Sequence, residues 1–277
     1  MSADLITIVL SGAPGKMITE IATLAQEPAN RTLFHVAPFA IAGESRRGQR
    51  YDLAPGLNVE LLAPTDLPAA LDRHGLHRAL IIDYSTPHVA LDNIRCFIGA
   101  DVSFVMGTTG YDRTEAEKMI RSSSINAVLA PNMAAPIVAL QALLADAARR
   151  FPGVLDGWDL QIRESHQQTK RDVSGTARAI QPLLEKLGAG GINAIESIRD
   201  PETQRAIGVP PTALGGHGWH WYTMHSPAGD TALEFSHRVN GRRIYAEGTL
   251  RAARYLARHA QTNHGAIYSM IDVLEGG

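Results

Sequence analysis

The sequence predicts an α/β chain in two parts: a parallel sheet flanked by helices, then an α+β part whose sheet is mainly antiparallel. Three observations predict it. Short apolar runs alternate with helical stretches through the first half. Those runs are continuously apolar, as strands buried on both faces must be. Near Pro131 the composition shifts, and a long Ala/Leu-rich helix leads into segments where polar and apolar residues alternate.

The first strand is Leu5 to Leu10, ending in Ser11-Gly12. A helix follows over Lys16 to Gln26, with Met17, Ile21, Ala22 and Leu24 at helical spacing. Further strands are predicted at Phe34–Ile41, Val59–Leu62, Ala79–Asp83, Val102–Met106 and Ala127–Leu129, and helices at Leu67–His74, His88–Ile98 and Arg113–Arg121. In the second half, Ala134–Phe151 reads as helix, Leu160–Ile162 as strand and Thr176–Leu187 as helix. Ala194–Ile198, Trp219–His225 and Thr231–Val239 read as strands. In the last of these, Leu233, Phe235 and His237 alternate with Glu234, Ser236 and Arg238, which predicts one buried face. Asn240-Gly241 signals a turn, and Ala246–Arg258 is a closing helix.

Composition narrows the function. With 45% hydrophobic and 19% charged residues, the chain has the make-up of a folded protein. A formal net charge of −2 offers nothing to nucleic acid or an anionic membrane, so neither is expected as a partner and a small molecule is. Cys96, the one cysteine, lies in a helical pattern and leaves no disulfide framework or cysteine zinc site within the chain. A reduced, cytoplasmic location fits. Met1-Ser2-Ala3-Asp4 carries no basic residue before an apolar run of about six residues, too short for a signal peptide or membrane span.

The first chemical motif is Gly12-Ala13-Pro14-Gly15-Lys16-Met17, between the first strand and the first helix. Gly12 permits a tight turn, and Gly15 lets backbone approach a pyrophosphate at a helix N-terminus. A plain strand-to-helix turn is the alternative reading, and the βαβ context favours a dinucleotide. Two more strand ends carry small and hydroxyl residues: Asp83-Tyr84-Ser85-Thr86-Pro87 and Gly107-Thr108-Thr109-Gly110. Ligands of open α/β sheets lie at such carboxyl ends. Capping of the next helix is the other use of these hydroxyls.

The second motif runs from Glu164 to Ala177. Ser174 is a plausible N-cap, and the N–H groups of Gly175 and Thr176 form a carboxylate site. Lys170 and Arg171 add positive charge. His166, with an ordinary pKa near about 6.5, is a candidate proton donor. A solvated surface loop is the competing reading.

Together these segments resemble the dihydrodipicolinate reductases, in the family's order from Gly12 to about Tyr268. The first turn is similar to the family's Gly-x-x-Gly-Lys-Met. Asp83–Pro87, Gly107–Gly110 and Ala130-Pro131-Asn132-Met133 resemble its later cofactor loops, and Glu164–Ala177 resembles its catalytic segment. Ser165-His166-Gln167 is similar to the plant-type branch, as are Ile198-Arg199-Asp200-Pro201, Gly208-Val209-Pro210, Gly216-His217 and Ile244–Thr249.

The resemblance implies a Rossmann-type nucleotide domain, a substrate and oligomerisation domain, and reduction of 4-hydroxy-tetrahydrodipicolinate, a cyclic imine dicarboxylate, with NADPH or NADH. His166 and Lys170 are implied as the catalytic pair. Gln167, Ser174, Gly175 and Thr176 are implied on the substrate, and Gly12 to Met17, Ser85, Gly107 to Thr109 and Ala130 to Met133 on the cofactor. It also implies a homotetramer, with a homodimer as the alternative, and a split first domain: residues 1–131 with 249–277, around a second domain of 132–248.

Departures remain. Ile18 stands where the family usually has Gly. In the loop after the second strand, Arg46 or Arg47 suits a 2′-phosphate and Glu44 a free ribose hydroxyl, which leaves the cofactor choice open. A related reductase of another cyclic imine, or a non-catalytic dinucleotide binder, are the rival functions. His217, His220, His225 and His237 invite a metal reading. His-x-x-His on a strand sends its side chains to opposite faces, so no metal is expected.

Overall fold

The computed structural model describes residues 5–191, 194–259 and 264–276. Met1–Asp4, read above for their lack of basic residues, lie outside the described residues. The chain divides into two compact units, Met1–Ala135 with Arg243–Gly277, and Pro136–Arg242.

The first unit begins with β1 (Ile6–Ser11), α1 (Lys16–Gln26), β2 (Phe34–Ile41), β3 (Arg50–Ala54), β4 (Leu57–Leu62) and α2 (Leu67–His74). It continues through β5 (Leu80–Asp83), α3 (Ala90–Gly99), β6 (Phe104–Met106), α4 (Arg113–Arg121) and β7 (Ala127–Leu129). The second unit holds α5 (Ala135–Arg150), β8 (Asp159–His166), α6 (Gly175–Lys186), β9 (Glu196–Ile198), α7 (Pro201–Ala206), β10 (His217–His225) and β11 (Ala232–Asn240). The chain then returns to the first unit with α8 (Arg243–His259), β12 (Ile267–Tyr268) and α9 (Met270–Glu275). The second crossing thus falls at 242/243, ahead of the expected 248/249. α8 is one continuous helix from Arg243, and it buries Ala246, Gly248 and Thr249.

The eight strands of the first sheet run in the order β12-β7-β6-β5-β1-β2-β4-β3. Every pairing is parallel except β3 on β4. The chain builds outward from β1 in both directions, so the sheet has its switch point there, where a doubly wound fold opens its ligand crevice. The continuous apolar runs are the reason: Ile8, Val9, Leu10, Ile81, Ile82, Phe104 and Val105 are fully buried between helices. β3 went unpredicted. Its signal is Pro55-Gly56, a turn with Gly56 at φ 76°, which folds β3 back on β4.

The second sheet has the order β11-β10-β8-β9. β10 pairs antiparallel with both β11 and β8, and β9 lies parallel to β8. Leu160, Ile162, Tyr222 and Met224 pack with Ala177, Ile180 and Leu184 of α6. β8 runs past the predicted Ile162 to His166, because its alternation continues into Glu164 and pairs with β10 as far as His166 opposite Gly218. The buried face expected for β11 is only partial: Leu233 is 46% exposed, and Phe235 and His237 are half-buried. β11 is an edge strand, and its first residues extend past the core. Among the described residues, no helix is long and apolar enough to cross a membrane.

Candidate active site

In the first unit, three strand ends converge on one carboxylate. Asp83, fully buried at the end of β5, accepts from Ser11 Oγ (2.7 Å), Asn93 Nδ2 (3.1 Å), Ser85 Oγ (2.8 Å) and Thr108 Oγ1 (2.8 Å). The backbone N–H of Ser85 also donates to it. This one side chain therefore fixes the loops after β1, β5 and β6 relative to one another. Gly12 sits at φ 100°, and a Cβ there would overlap the Tyr84 carbonyl. A Cβ at Gly107 would overlap the Tyr84 ring, whose hydroxyl shares a hydrogen bond with Thr249 (2.6 Å).

The amides of this turn are not all free. Gly12 and Ala13 donate to the Ile41 carbonyl, and Gly15 donates to Gly12. The first turn of α1 has no side-chain cap, so the N–H groups of Lys16, Met17 and Ile18 donate to no capping side chain. Ile18 is completely buried, so its departure from the family's glycine is absorbed by the core. Thr108, expected to face a ligand, spends its proton on Asp83, and exposed Thr109 is the available hydroxyl. Neither caps α4, which Asp112 does. Asn132 accepts from the Ala134 N–H (2.9 Å), Met133 is buried, and Pro131 is exposed. Glu44 and Asp66 both pair with Arg47, whereas Arg46 is exposed and makes no ion pair among the described residues.

In the second unit the organising group is Glu164, also completely buried. Its Oε2 accepts from the Ser174 N–H (2.8 Å), at the mouth of α6. Its Oε1 accepts from Ser197 Oγ (2.9 Å) and pairs with Arg199 Nη2. Arg199 in turn donates to the carbonyls of Lys170 (2.9 Å) and Asp172 (3.2 Å). Glu164 and Arg199 therefore clamp the loop that carries Lys170 to the start of α6.

Ser174 is the N-cap, as its sequence position suggests: its Oγ accepts from the Thr176 N–H (3.1 Å). That occupies the Thr176 amide, expected to bind an anion. The Gly175 N–H and the Thr176 hydroxyl remain, and a Cβ on Gly175 would meet only open space. Lys170 Nζ donates to Asp172 Oδ1 (2.9 Å), which holds the Asp172 carboxyl below its ordinary range. Gln167 is half-buried at the end of β8, and its side chain makes no hydrogen bond among the described residues.

His166 is not an ordinary imidazole. Burial, the largest influence, pushes its pKa down to about 4 against the opposing pull of Glu164. The expectation of a histidine titrating near neutrality is corrected accordingly. Its Nδ1–H donates to the His217 carbonyl (3.1 Å), so Nε2 carries the lone pair and turns to His220 Nε2 at 3.4 Å. The ring packs on Gly218, where a Cβ would lie 2.9 Å from His166 Cε1. His217 faces the other side of the sheet and bonds Ser165 Oγ (2.7 Å) and the Ala213 carbonyl (3.2 Å), a structural pairing.

The Glu164–Ala177 arrangement and the loops around Asp83 belong to regions that known families also share. Residues 6–133 match the family model for the dihydrodipicolinate reductase N-terminus, and residues 136–274 match the one for its C-terminus. The chain belongs to the dihydrodipicolinate reductase family. An Arabidopsis thaliana protein, 4-hydroxy-tetrahydrodipicolinate reductase 1, chloroplastic, is 34% identical over 98% of this chain and 78% of its own. The 4-hydroxy-tetrahydrodipicolinate reductase of Syntrophotalea carbinolica is 29% identical over 98% of this chain and 99% of its own. The higher plant identity places the chain in the plant-type branch. A dipicolinate-bound dihydrodipicolinate reductase from Paenisporosarcina sp. TG-14 shares the fold, with TM-score 0.65 and 16% identity over 97% of this chain and 98% of that one.

Several residues of the reductase site had no predicted role. Glu164 and Arg199 stood inside the two motifs named above, 35 residues apart, and nothing in the sequence around either marks them as a pair. Gln204, 1% exposed, donates to the His166 carbonyl (2.7 Å) from α7, a helix that went unpredicted.

Proposed function

We propose that this chain reduces 4-hydroxy-tetrahydrodipicolinate to tetrahydrodipicolinate with a nicotinamide cofactor, on the route to diaminopimelate and lysine. One observation carries the reading: Glu164 and Arg199 tie an open helix N-terminus to the loop backbone that carries Lys170. A dicarboxylate undergoing reduction needs those two groups, an anion cradle and a proton source.

Gly175 N–H and Thr176 Oγ1 bind a substrate carboxylate, aided by the positive end of α6. In the net reaction a hydride and a proton enter and the 4-hydroxyl leaves as water. A bound dihydronicotinamide supplies the hydride. The amides of Lys16 and Met17 would hold its pyrophosphate, and Ser85, Gly107, Thr109 and Ala130 to Met133 its remaining parts. The close approaches at Gly12 and Gly107 suit such a ligand. Lys170 donates the proton, with Asp172 orienting the ammonium. His166, neutral at physiological pH, accepts hydrogen bonds at Nε2, and Gln167 contacts substrate.

Arg46, exposed and without an ion pair among the described residues, supports NADPH as the preferred cofactor over NADH, since Arg47 is already held by Glu44 and Asp66. The open edge of β11, with Leu233 exposed, supports assembly as a homotetramer.

The test is a steady-state assay of 4-hydroxy-tetrahydrodipicolinate with each cofactor. Turnover with both, and a lower KM for NADPH, is expected. No turnover with either, alongside reduction of a different cyclic imine, overturns the proposal.

A further inference from the structure

Three ligand-type atoms meet on one face of the second sheet. His166 Nε2 and His220 Nε2 lie 3.4 Å apart, and Glu164 Oε2 is 3.8 Å from the first and 3.7 Å from the second. Strand pairing creates the cluster: His220 sits directly opposite Glu164, and His166 follows two residues along β8 on the same face. None of the three separations makes a good hydrogen bond. A point equidistant from all three lies about 2.1 Å from each, the length of a zinc–nitrogen or zinc–oxygen bond.

The surroundings fit an ion there. The His217 carbonyl holds the proton of His166 on Nδ1, the outer contact that metal-bound histidines commonly use to aim their other nitrogen. Ser197 and Arg199 bind Oε1 of Glu164, while Oε2, which accepts the Ser174 N–H with one lone pair, lies on the side of the histidines. His220 and Glu164 are buried while His166 is partly exposed, which gives the cluster one open side. The four-histidine pattern of the sequence contributes only His220, because the carboxylate and the third ligand come from β8.

We infer that Glu164, His166 and His220 form a two-histidine, one-carboxylate site for a divalent transition ion, zinc foremost, which inhibits by sequestering His166. Imidazole and carboxylate together favour zinc or cobalt over magnesium or calcium. The Arg199 guanidinium opposes a dication, so binding is weaker than at a dedicated structural zinc site and a chelator reverses it. The binding claim stands on the geometry alone, while the inhibition claim rests on the reductase reading.

Cobalt(II) titrated into the chelator-treated protein tests the site through its visible absorption. One equivalent with four-coordinate intensity, displaced by zinc, is expected. His220→Gln and His166→Gln should each weaken binding by more than the roughly 10–100-fold that loss of an outer contact produces. His225→Gln, away from the cluster, should change nothing. Circular dichroism checks folding, and His166→Gln, on the open side, serves if His220→Gln does not fold. No four-coordinate band, or a band that survives the replacement, overturns the site. Zinc should also inhibit turnover over the range in which it displaces cobalt. Displacement without inhibition overturns the regulatory half, and the cobalt titration reads the site even if the proposed substrate is not turned over.

Discussion

Arg199→Met removes the cation facing a carboxylate that is completely buried. Glu164 keeps its bonds from Ser197 and the Ser174 N–H, but among the described residues its charge has no second Arg or Lys partner. Breaking a buried pair from one side costs about 3–5 kcal/mol. The Arg199 side chain is 19% exposed, so water reaches the gap and the lower end, about 3 kcal/mol, applies. For a chain of this size that lowers Tm by roughly 10 °C. The same substitution frees the Lys170 and Asp172 carbonyls, so kcat falls as well. Scanning calorimetry with a double-mutant cycle is the assay. Glu164→Gln combined with Arg199→Met should recover more than about 1 kcal/mol relative to the sum of the singles, because the second change removes the stranded charge. A single variant within about 1 kcal/mol of wild type, or strict additivity, would refute the clamp.

Other outcomes follow from the same geometry. Lys170→Ala should lower kcat roughly 10²–10⁴-fold, the contribution of a positioned acid, and activity within a few-fold of wild type would remove Lys170 from the chemistry. Gly175→Ala places a methyl in open space beside the proposed carboxylate amide: KM for substrate should rise roughly tenfold or more, with unfolding free energy within about 0.5 kcal/mol of wild type. Arg46→Ala should raise KM for NADPH and leave KM for NADH unchanged, as steady-state kinetics would show. His166 and His237 have folded pKa values pushed by burial from 6.5 down to about 4, with His220 lowered further. The unfolded chain therefore binds protons that the fold refuses. Stability should be complete above pH 6.5 and decline towards pH 4, by up to about 1.4 kcal/mol per pH unit for each histidine. Urea titrations across that range should show a shallower decline for His166→Gln.

What was legible in the sequence followed from periodicity. Lys16–Gln26, Phe34–Ile41 and Arg113–Arg121 match the structure end to end, because a helical stripe or a doubly buried apolar run is a local property. Ser174 could be read as a cap for the same reason, its partner being two residues away. The short elements escaped. β12 has two residues and α7 six, too few for any repeat to show. β3 is polar along an edge and carries no apolar run.

The polar cores escaped for a different reason. Asp83 and Glu164 each look like an ordinary acid in a loop motif, and nothing local marks them as buried. Their partners arrive from 72 and 35 residues away, Ser11 on the neighbouring strand and Arg199 past β9. Both carboxylates occupy the ends of central strands, where apolar packing stops and several loops begin. A buried acid at that point satisfies backbone and side-chain donors that would otherwise be stranded, and it sets the spacing of the loops that meet on it. The residues proposed to touch ligands, Lys170, Gly175 and Thr109, are more exposed and few in their contacts. Their precision is borrowed from these hubs. Substitutions at Asp83 and Glu164 should therefore disturb several ligand contacts together, whereas Gly175→Ala or Arg46→Ala disturbs one.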